Sequence, residues 1–429
     1  MSTKYIIKNG LVVDPAGGIE EKLDIIISEN IIKDVGKNMK LPGAETIDAN
    51  GLIVAPGFID MHTHLREPGR EDKETVRTGT RGAAKGGWTT ICCMPNTDPA
   101  IDGPEPIKRL NAIIKKDAIC GVLVVGAVTK NREGKELADF KAMKKEGIVA
   151  VSDDGSSVDN TALLEEALKQ AKKEKLVLIE HCEDKQISQG GVMNKGFMST
   201  KMGLRGIPRQ AEYERVKRNI DIAKKAGTGI HIAHVSCKES VEIIRAAKKS
   251  GVPVTAETAP HYFSLTDECT GTYDTNTKMN PPLRTSDDVK AIKDGLKDGT
   301  IDAIATDHAP HTDSEKDVEF DYAPFGIIGL ETALSLSVME LINTKVLEWP
   351  ELIRKLSVNP ARILGIERGS LRKGSAADIV IIDPAVEYQY LKDSIESKSK
   401  NSPFIGWMLK GRARHVFAGG RLVVNNGRL

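Results

Sequence analysis

The sequence is poor in aromatic residues and cysteine, and it has no long apolar segment. Phe, Trp and Tyr make up only 4% of its 429 residues. The six cysteines include no C-x-x-C pair and none of the spacings of a disulfide-rich fold, so we expect free thiols and the reducing cytoplasm. Because there is no apolar stretch of about 20 residues and no apolar N-terminal signal segment, we expect neither a membrane span nor an export signal.

The sequence also lacks an excess of either charge. Lys and Arg total 61 and Asp and Glu total 60, which gives a net charge of +1. This balance argues against nucleic acid or an anionic membrane as the main partner. A site for an acidic small molecule must therefore be a local group of basic side chains.

The two ends of the chain differ in pattern from its middle. Residues 1–55 and 366–429 contain short β-like runs separated by Gly and Asn turns. Neither end is long enough for a domain of its own. We expect them to combine into one small β-sandwich domain, because chain termini often lie close together. Residues 56–365 alternate apolar and amphipathic segments and are expected to form the catalytic domain.

Eight apolar runs in the middle of the chain predict eight strands. Segments such as "ALLEEALKQAKKEK" and "YERVKRNIDIAKKAG" lie between them and have the apolar spacing of helices. Eight strand–helix units in succession predict an α/β fold, a (β/α)8 barrel of the TIM type, with a doubly wound sheet as the alternative. The runs are 57–64, 87–95, 120–128, 147–154, 176–181, 229–236, 252–261 and 301–308.

Histidine and aspartate recur where the predicted strands end, which is where barrel enzymes carry their chemistry. His62 and His64 project to the same side, because side chains alternate along a strand. A single buried histidine is more often a core residue, and a single aspartate there often caps a helix. Together, however, the strand ends predict a metal site; they carry His62, His64, Asp153, Asp154, His181, His234 and Asp307.

The types of ligand limit the choice of metal. Imidazole and carboxylate groups without thiolate suit Zn²⁺, and Mn²⁺, Co²⁺ and Fe²⁺ are alternatives. Four histidines and two carboxylates exceed the shell of one tetrahedral ion. They are enough for two ions bridged by a carboxylate and a hydroxide, and one aspartate could then accept and return a proton.

Basic and polar residues near the same strand ends predict the kind of substrate. Arg66 follows His64 by two positions, and a guanidinium binds a carboxylate through two parallel hydrogen bonds. For each nearby asparagine, turn formation is the alternative role. The residues alone therefore predict metal-assisted hydrolysis of a C–N or ester bond in a small substrate with a carboxylate. The other candidate contacts are Asn96, Asn280, His311 and the backbone of Phe325 and Gly326.

Six strings follow one another along the chain: "DMHTHLREPG", "CMPNT", "SDDG", "HCED", "MNPPLR" and "ATDHAPH". They resemble the class I dihydroorotases of the amidohydrolase superfamily, and the resemblance covers essentially the whole chain. It implies the reversible hydrolysis of L-dihydroorotate to N-carbamoyl-L-aspartate in pyrimidine biosynthesis.

The resemblance also implies two Zn²⁺ ions, bridged by a hydroxide and by an aspartate of "SDDG". Asp154 is the expected bridging ligand, and Asp153 is the alternative. Asp307 is implied both as a ligand and as the catalytic group that moves the proton. The resemblance assigns His62, His64 and Asp307 to one ion. It assigns His181 and His234 to the second.

For the substrate, the resemblance implies a carboxylate site and a ring site. Hydantoinases and allantoinases are alternatives, but they usually carry a bridging lysine, which "SDDG" disfavours. A non-catalytic dihydroorotase-like subunit that supports aspartate transcarbamoylase is the alternative from another class. The carboxylate site comprises Arg66, Asn96 and Asn280, and the ring site comprises His311 with the Phe325 and Gly326 backbone.

Two further expectations concern assembly and the remaining histidines. The resemblance implies a homodimer or a complex with aspartate transcarbamoylase. We expect His231 to face away from the site, because it lies an odd number of positions before His234. We expect His308 to pack near the site without binding metal.

Overall fold

The computed structural model describes residues 4–429, whose strands form a barrel, a sheet from both chain ends and a small two-stranded sheet. In chain order the strands are β1 (Tyr5–Asp14), β2 (Ile19–Ser28), β3 (Ile31–Gly36), β4 (Glu45–Asp48), β5 (Ile53–Pro56), β6 (Phe58–Thr63), β7 (Trp88–Cys93), β8 (Gly121–Gly126), β9 (Ala150–Val151), β10 (Val177–Glu180), β11 (Met193–Asn194), β12 (Gly206–Ile207), β13 (Ile230–Ile232), β14 (Val254–Thr258), β15 (Ala303–Ile304), β16 (Ile379–Gln389), β17 (Met408–Ala418) and β18 (Arg421–Val424).

Helices occupy most of the segments between the barrel strands. Short 3₁₀ turns cover Lys130–Arg132, Asp267–Thr272, Thr275–Thr277 and Lys392–Ser394, and π-helical turns cover Val338–Ile342 and Arg354–Val358. The α-helices are α1 (Val76–Gly86), α2 (Pro104–Asp117), α3 (Phe140–Lys145), α4 (Thr161–Lys173), α5 (Lys185–Ser188), α6 (Phe197–Met202), α7 (Gln210–Ala226), α8 (Lys238–Lys249), α9 (Pro260–Ser264), α10 (Ser286–Asp298), α11 (Asp313–Lys316), α12 (Ala333–Ser337), α13 (Trp349–Ile353) and α14 (Asn359–Leu364).

The barrel contains the eight strands that the sequence predicted. Strands β6 to β10 and β13 to β15 pair in parallel in chain order. A parallel bridge between Thr63 and His308 joins the first strand to the segment after the last. Beside it, the Thr306 hydroxyl donates to Asp60 Oδ2 at 2.6 Å. The predicted barrel is therefore confirmed, and the doubly wound alternative was wrong.

The helical pattern of the sequence reflects one buried face on the longer helices, of which α4 is an example. Helix α4 buries Leu164, Ala167, Leu168 and Ala171, which recur at helical spacing. It begins after Asn160, whose side-chain oxygen accepts hydrogen bonds from two backbone N–H groups of the first turn. This face of α4 packs against β10 and α7.

Both ends of the chain contribute strands to one sheet, separate from the barrel, as the sequence predicted. Its order is β18-β17-β16-β5-β1-β2-β3, with β4 beside β1. Antiparallel pairing of β16 with β5 joins the two ends of the chain. Buried aliphatic residues, among them Ile7, Ile25 and Ile381, form a core under this sheet. The exact domain limits, 1–55 with 366–429 and 56–365, stay a prediction.

Two expectations drawn from composition can be compared with the structure. All six cysteines are free thiols, and only Cys269 is exposed. Among residues 4–429, the structure contains no helix with both the length and the apolar character needed to cross a membrane.

Candidate metal centre and substrate pocket

One pocket at the carboxyl ends of the barrel strands brings together the residues predicted from the sequence. Of the thirteen candidates, His62 and Asp153 are absent from its lining, and the His62 side chain is completely buried. The pocket is lined by His64, Arg66, Asn96, Asp154, Gly155, His181, His234, Asn280, Asp307, Ala309, His311, Phe325 and Gly326.

The histidines form two groups that share one carboxylate. His62, His64 and Asp154 form the first group, and Asp154, His181 and His234 form the second. In each group the potential ligand atoms lie within 4.8 Å of one another. Asp154 Oδ1 lies 3.2 Å from His62 Nε2 and 3.8 Å from His234 Nε2. Each group offers ligand types that suit a divalent metal ion, and Asp154 is common to both groups.

Asp153 and Asp154 are adjacent in sequence but lie in different surroundings. Asp153 Oδ1 accepts hydrogen bonds from the backbone N–H groups of Val128 and Thr129, at 2.8 and 3.1 Å. The hydroxyl of Thr129 donates to its other oxygen. Asp153 therefore holds the loop after β8, and of this pair only Asp154 belongs to the two histidine groups.

Asp307 lies beside the first group. Its Oδ1 is 3.2 Å from His64 Nε2 and 3.5 Å from His62 Nε2. Burial raises the pKa of Asp307, but the positive charge of His62 and the hydrogen bond from His64 outweigh this effect and hold the pKa well below its ordinary value. Asp307 is therefore an ionised carboxylate at the pocket surface.

Glu257 and His231 form a buried layer beneath the first group, which the sequence analysis missed. His62 Nδ1 lies 2.8 Å from Glu257 Oε1, and His231 Nε2 lies 3.2 Å from Glu257 Oε2. Burial raises the pKa of Glu257, but the bonds with His231 and His62 lower it to about 2. A carboxylate here fixes the His62 ring so that its Nε2 faces the group.

The expectation that His231 faces away from the site was wrong. His234 adopts a left-handed backbone with φ 34°, so the alternation of side chains does not continue from β13 to it. Glu257 itself could have been suspected, because an acidic residue inside the apolar run of a barrel strand needs a buried partner. His308 packs as expected, with its Nε2 3.2 Å from Glu74.

Glu183, also missed, joins the second group to the substrate side of the pocket. Its Oε2 lies 3.3 Å from His181 Nε2 and accepts a hydrogen bond from Asn280 Nδ2 at 3.0 Å. Burial raises the pKa of Glu183, but the bond with His181 and its charge outweigh this effect and lower the pKa to about 2. The bond to Glu183 leaves Nδ1 of His181 to face Asp154 and His234.

Arg66 and His311 form the basic side of the pocket. Arg66 Nε donates to the Pro310 carbonyl at 3.2 Å, and its Nη2 lies 3.4 Å from His311 Nε2. Burial lowers the pKa of Arg66 to about 10, although Asp307 opposes this effect. Arg66 is therefore charged at neutral pH, which makes this side of the pocket suitable for an anion.

His311 is held neutral by its surroundings. Burial, with the charges of Arg66 and Lys73, lowers its pKa to about 2. Lys73 Nζ donates to His311 Nδ1 at 3.1 Å, so the ring proton lies on Nε2 and is donated to the Phe325 carbonyl at 2.9 Å. Lys73 was not among the predicted residues, since nothing in its sequence position distinguishes it from a surface lysine.

The remaining predicted contacts line the pocket but already have partners. Asn96 Oδ1 lies 2.8 Å from His64 Nδ1 and orients that ring, which leaves the amide group of Asn96 to donate elsewhere. Gly326 N donates to the Lys278 carbonyl at 2.9 Å, and Gly326 O accepts from Asn401. The backbone at 325–326 is thus fixed in place at the edge of the pocket.

Comparison with solved structures places this architecture among known folds. An L-hydantoinase (dihydropyrimidinase) from Arthrobacter aurescens has a TM-score of 0.90 at 24% sequence identity, and the match covers 100% of this chain and 97% of that one. A dihydropyrimidinase from Brevibacillus agri NCHU1002 gives a TM-score of 0.87 at 24% identity, covering 100% of this chain and 96% of that one. At this identity the likeness establishes the fold alone.

Sequence relatives are closer. Residues 51–240 match a family model described as dihydro-orotase-like. A dihydroorotase from Elusimicrobium minutum (strain Pei191) is 52% identical over 426 residues, which cover 99% of both chains. A dihydroorotase from Geobacter metallireducens is 52% identical over 419 residues, covering 97% of this chain and 99% of the relative. The chain belongs to the dihydroorotase family.

Proposed function

We propose that this protein is an enzyme, a dihydroorotase, that interconverts L-dihydroorotate and N-carbamoyl-L-aspartate in pyrimidine biosynthesis. The family supports the reaction. The observation that carries the proposal is that two histidine groups share Asp154 and open into the same pocket as Arg66. Such a pocket places hydrolytic metal chemistry beside a binding site for a carboxylate.

The described residues fit a pair of divalent metal ions, which we propose to be Zn²⁺. His62 is completely buried, and its Nε2 faces the carboxylates of Asp154 and Asp307 at 3.2 and 3.5 Å, as expected of a nitrogen that binds metal together with them. We assign one ion to His62, His64, Asp154 and Asp307, and the other to Asp154, His181 and His234. When bound, such ions would activate a water molecule and polarise the amide carbonyl of the substrate.

Asp307 is the residue to which we assign the proton. Its carboxylate is ionised and faces the pocket beside His64. It accepts a proton from the attacking water and returns it to the ring nitrogen as the amide bond breaks. In ring closure the same group works in reverse, taking the proton from the nitrogen that attacks.

The substrate is held by groups on two sides of the pocket. Arg66 binds the carboxylate with two parallel hydrogen bonds, and the amide groups of Asn96 and Asn280 complete that site. His311 and the backbone at Phe325 and Gly326 contact the ring. This assignment favours an acidic ring over hydantoin or allantoin, whose rings carry no carboxylate for Arg66 to bind.

The experiment that tests the proposal is a turnover assay on metal-reconstituted protein. L-dihydroorotate is compared with hydantoin and allantoin, each with a chelated control. We expect chelator-sensitive turnover of dihydroorotate alone, and Asp307→Asn should lose turnover while its metal content stays largely intact. Turnover of a neutral ring instead would reject the pyrimidine assignment. No turnover and no retained metal would favour the non-catalytic subunit.

Assembly and location extend the same proposal. We place the reaction in the cytoplasm, which free thiols fit. We propose a homodimer or a complex with aspartate transcarbamoylase. Light scattering of the protein alone and after mixing with the transcarbamoylase tests both; a monomer in each experiment would reject them.

A further inference from the structure

Two loops supply lining residues of the pocket that are not candidate metal ligands. The first, 274–283, carries Asn280, and the second, 309–327, carries His311, Phe325 and Gly326. Two lysines lie between these loops and are almost completely buried: Lys278 is 2% exposed and Lys316 is 7% exposed. Lysine is rarely buried to this degree, because removing an ammonium from water is costly unless it is well paired.

The ammonium groups donate to backbone carbonyls of the second loop. Lys278 Nζ donates to the carbonyls of Phe320 at 2.7 Å and Asp321 at 3.0 Å, and it lies 4.8 Å from the centre of the Phe325 ring. Lys316 Nζ donates to the Pro324 carbonyl at 2.7 Å and to Thr275 in the first loop at 3.1 Å.

The backbone of Lys278 holds the same segment at its other end. The N–H of Gly326 donates to the Lys278 carbonyl at 2.9 Å. One residue therefore fixes the segment 320–326 at both its beginning and its end, and Lys316 fixes it near the middle. Because Lys278 precedes Asn280 by two positions, movement of this segment would also move the asparagine.

Neither ammonium depends on a carboxylate for this role. In the part of the chain that the structure describes, the charged group that faces Lys278 is Asp321, while Asp274, Glu315 and the cations of Lys278 and Lys73 surround Lys316. Among residues 4–429, none of these carboxylates forms a salt bridge with either lysine, whereas the carbonyl contacts are 2.7–3.1 Å long. The hydrogen bonds of these lysines instead go to backbone carbonyls, mostly of the loop at the pocket edge.

Building on the proposed function, we propose that Lys278 and Lys316 are positioning residues that hold the 320–326 segment and Asn280 in the geometry that binds dihydroorotate. Neither residue touches the reacting atoms. Their loss acts through substrate binding, because a misplaced binding loop weakens contacts to the ring without altering the metal ligands.

The test compares Lys278→Met and Lys316→Met with Lys355→Met as a matched control. Lys355 is 6% exposed and donates to one backbone carbonyl, that of Ile301, at the opposite end of the last barrel strand. We expect the KM for L-dihydroorotate to rise about tenfold to a hundredfold in the two loop variants. Their kcat should fall less, and metal content should match that of the control.

Amide hydrogen exchange of the substrate-free protein provides a second readout that does not depend on turnover. Exchange at 320–326 should accelerate in Lys278→Met and Lys316→Met and stay unchanged in Lys355→Met. Equal exchange and an equal KM in all three variants would overturn the proposal. If the wild-type protein does not turn over dihydroorotate, the proposed function fails, and hydrogen exchange at 320–326 still tests whether the two lysines hold the loop. The two proposals can therefore be rejected independently.

Conservative variants keep the test decisive if a methionine variant does not fold. Lys278→Gln and Lys316→Gln retain a hydrogen-bond donor that reaches fewer carbonyls. We expect their KM to be raised by less than about tenfold relative to wild type, and exchange at 320–326 to be only moderately faster. Folded glutamine variants whose exchange accelerates throughout the protein rather than at 320–326, with an unchanged KM, would reject positioning in favour of a purely structural role.

Discussion

Replacement of Arg66 by methionine should destroy the preference for an acidic ring. Methionine preserves much of the length of the side chain but removes its charge and all its donors. Arg66 uses Nε to hold the Pro310 carbonyl, so its two terminal nitrogens are available to a substrate carboxylate. The variant removes the bidentate pair between guanidinium and carboxylate and also the Nε bond to the Pro310 carbonyl, so only the difference between substrates with and without a carboxylate isolates the pair.

The magnitude follows from the surroundings of Arg66. A hydrogen bond to a charged group contributes about 1.5–3 kcal/mol, so two parallel bonds in this partly buried pocket contribute about 3–6 kcal/mol. Since about 1.4 kcal/mol corresponds to a factor of ten, kcat/KM for L-dihydroorotate should fall roughly 10²- to 10⁴-fold. Removing the carboxylate from the substrate should cost the wild-type enzyme a similar factor.

The assay is a cycle of two enzymes and two substrates. Wild type and Arg66→Met are each measured on L-dihydroorotate and on dihydrouracil, the same ring without the carboxylate, with metal content and thermal stability as controls. The coupling between the arginine and the carboxylate is the difference between the two losses. Arg66→Lys keeps the charge but loses the planar fork, so its loss should be intermediate. Equal losses on both substrates would refute the carboxylate clamp.

Three other perturbations test the surroundings of the site. Glu257→Gln should weaken metal affinity about 10- to 100-fold, because Glu257 orients His62, and competition with a chromophoric chelator measures this. Asp154→Asn should lose metal, whereas Asp153→Asn should retain it. Asp153→Asn should instead lower the free energy of unfolding by about 1–3 kcal/mol, because three donors lose a charged acceptor. Metal analysis and urea unfolding distinguish the two variants. Burial lowers the pKa of Lys316 to about 7, so from about pH 7 to pH 10 the unfolded chain binds more protons and the free energy of unfolding contributed by this group rises with pH. Urea unfolding across that range should show a smaller rise in Lys316→Met, and an identical rise would contradict the lowered pKa.

The barrel and the six metal-type side chains could be found from sequence because both depend on local pattern. Each strand is an apolar run that ends where a polar residue begins, and His62, His64 and Asp307 stand at those ends. In a parallel barrel all the carboxyl ends meet on one face. Side chains that are far apart in sequence, such as His64 and Asp307, can therefore be placed near one another without any knowledge of the loops.

The loop contacts could not be found in the same way. Glu183, Lys73 and Lys278 lie in sequence surroundings typical of exposed loops, and their partners are 97, 238 and 42 residues away. The partner of Lys278 is a backbone carbonyl, which has no residue type that a pattern could reveal. Such contacts are decided by the path of the whole loop, which single-sequence periodicity does not describe.

The backbone also departs from strand geometry at residues whose side chains must point into the same pocket. Arg66, His234 and Asp307 all have a left-handed backbone, with φ of 61°, 34° and 48°, although such conformations cost about 1–3 kcal/mol each outside glycine. Two of these positions have contacts from outside: the Arg66 side chain donates to the Pro310 carbonyl, and the residue after Asp307 forms bridges to Thr63 and Ile327. Side chains of a regular strand would alternate between the interior and the helices. The left-handed residues break this alternation, so three charged or metal-type side chains turn into one pocket. The same break at His234 explains why the alternation rule gave the wrong direction for His231.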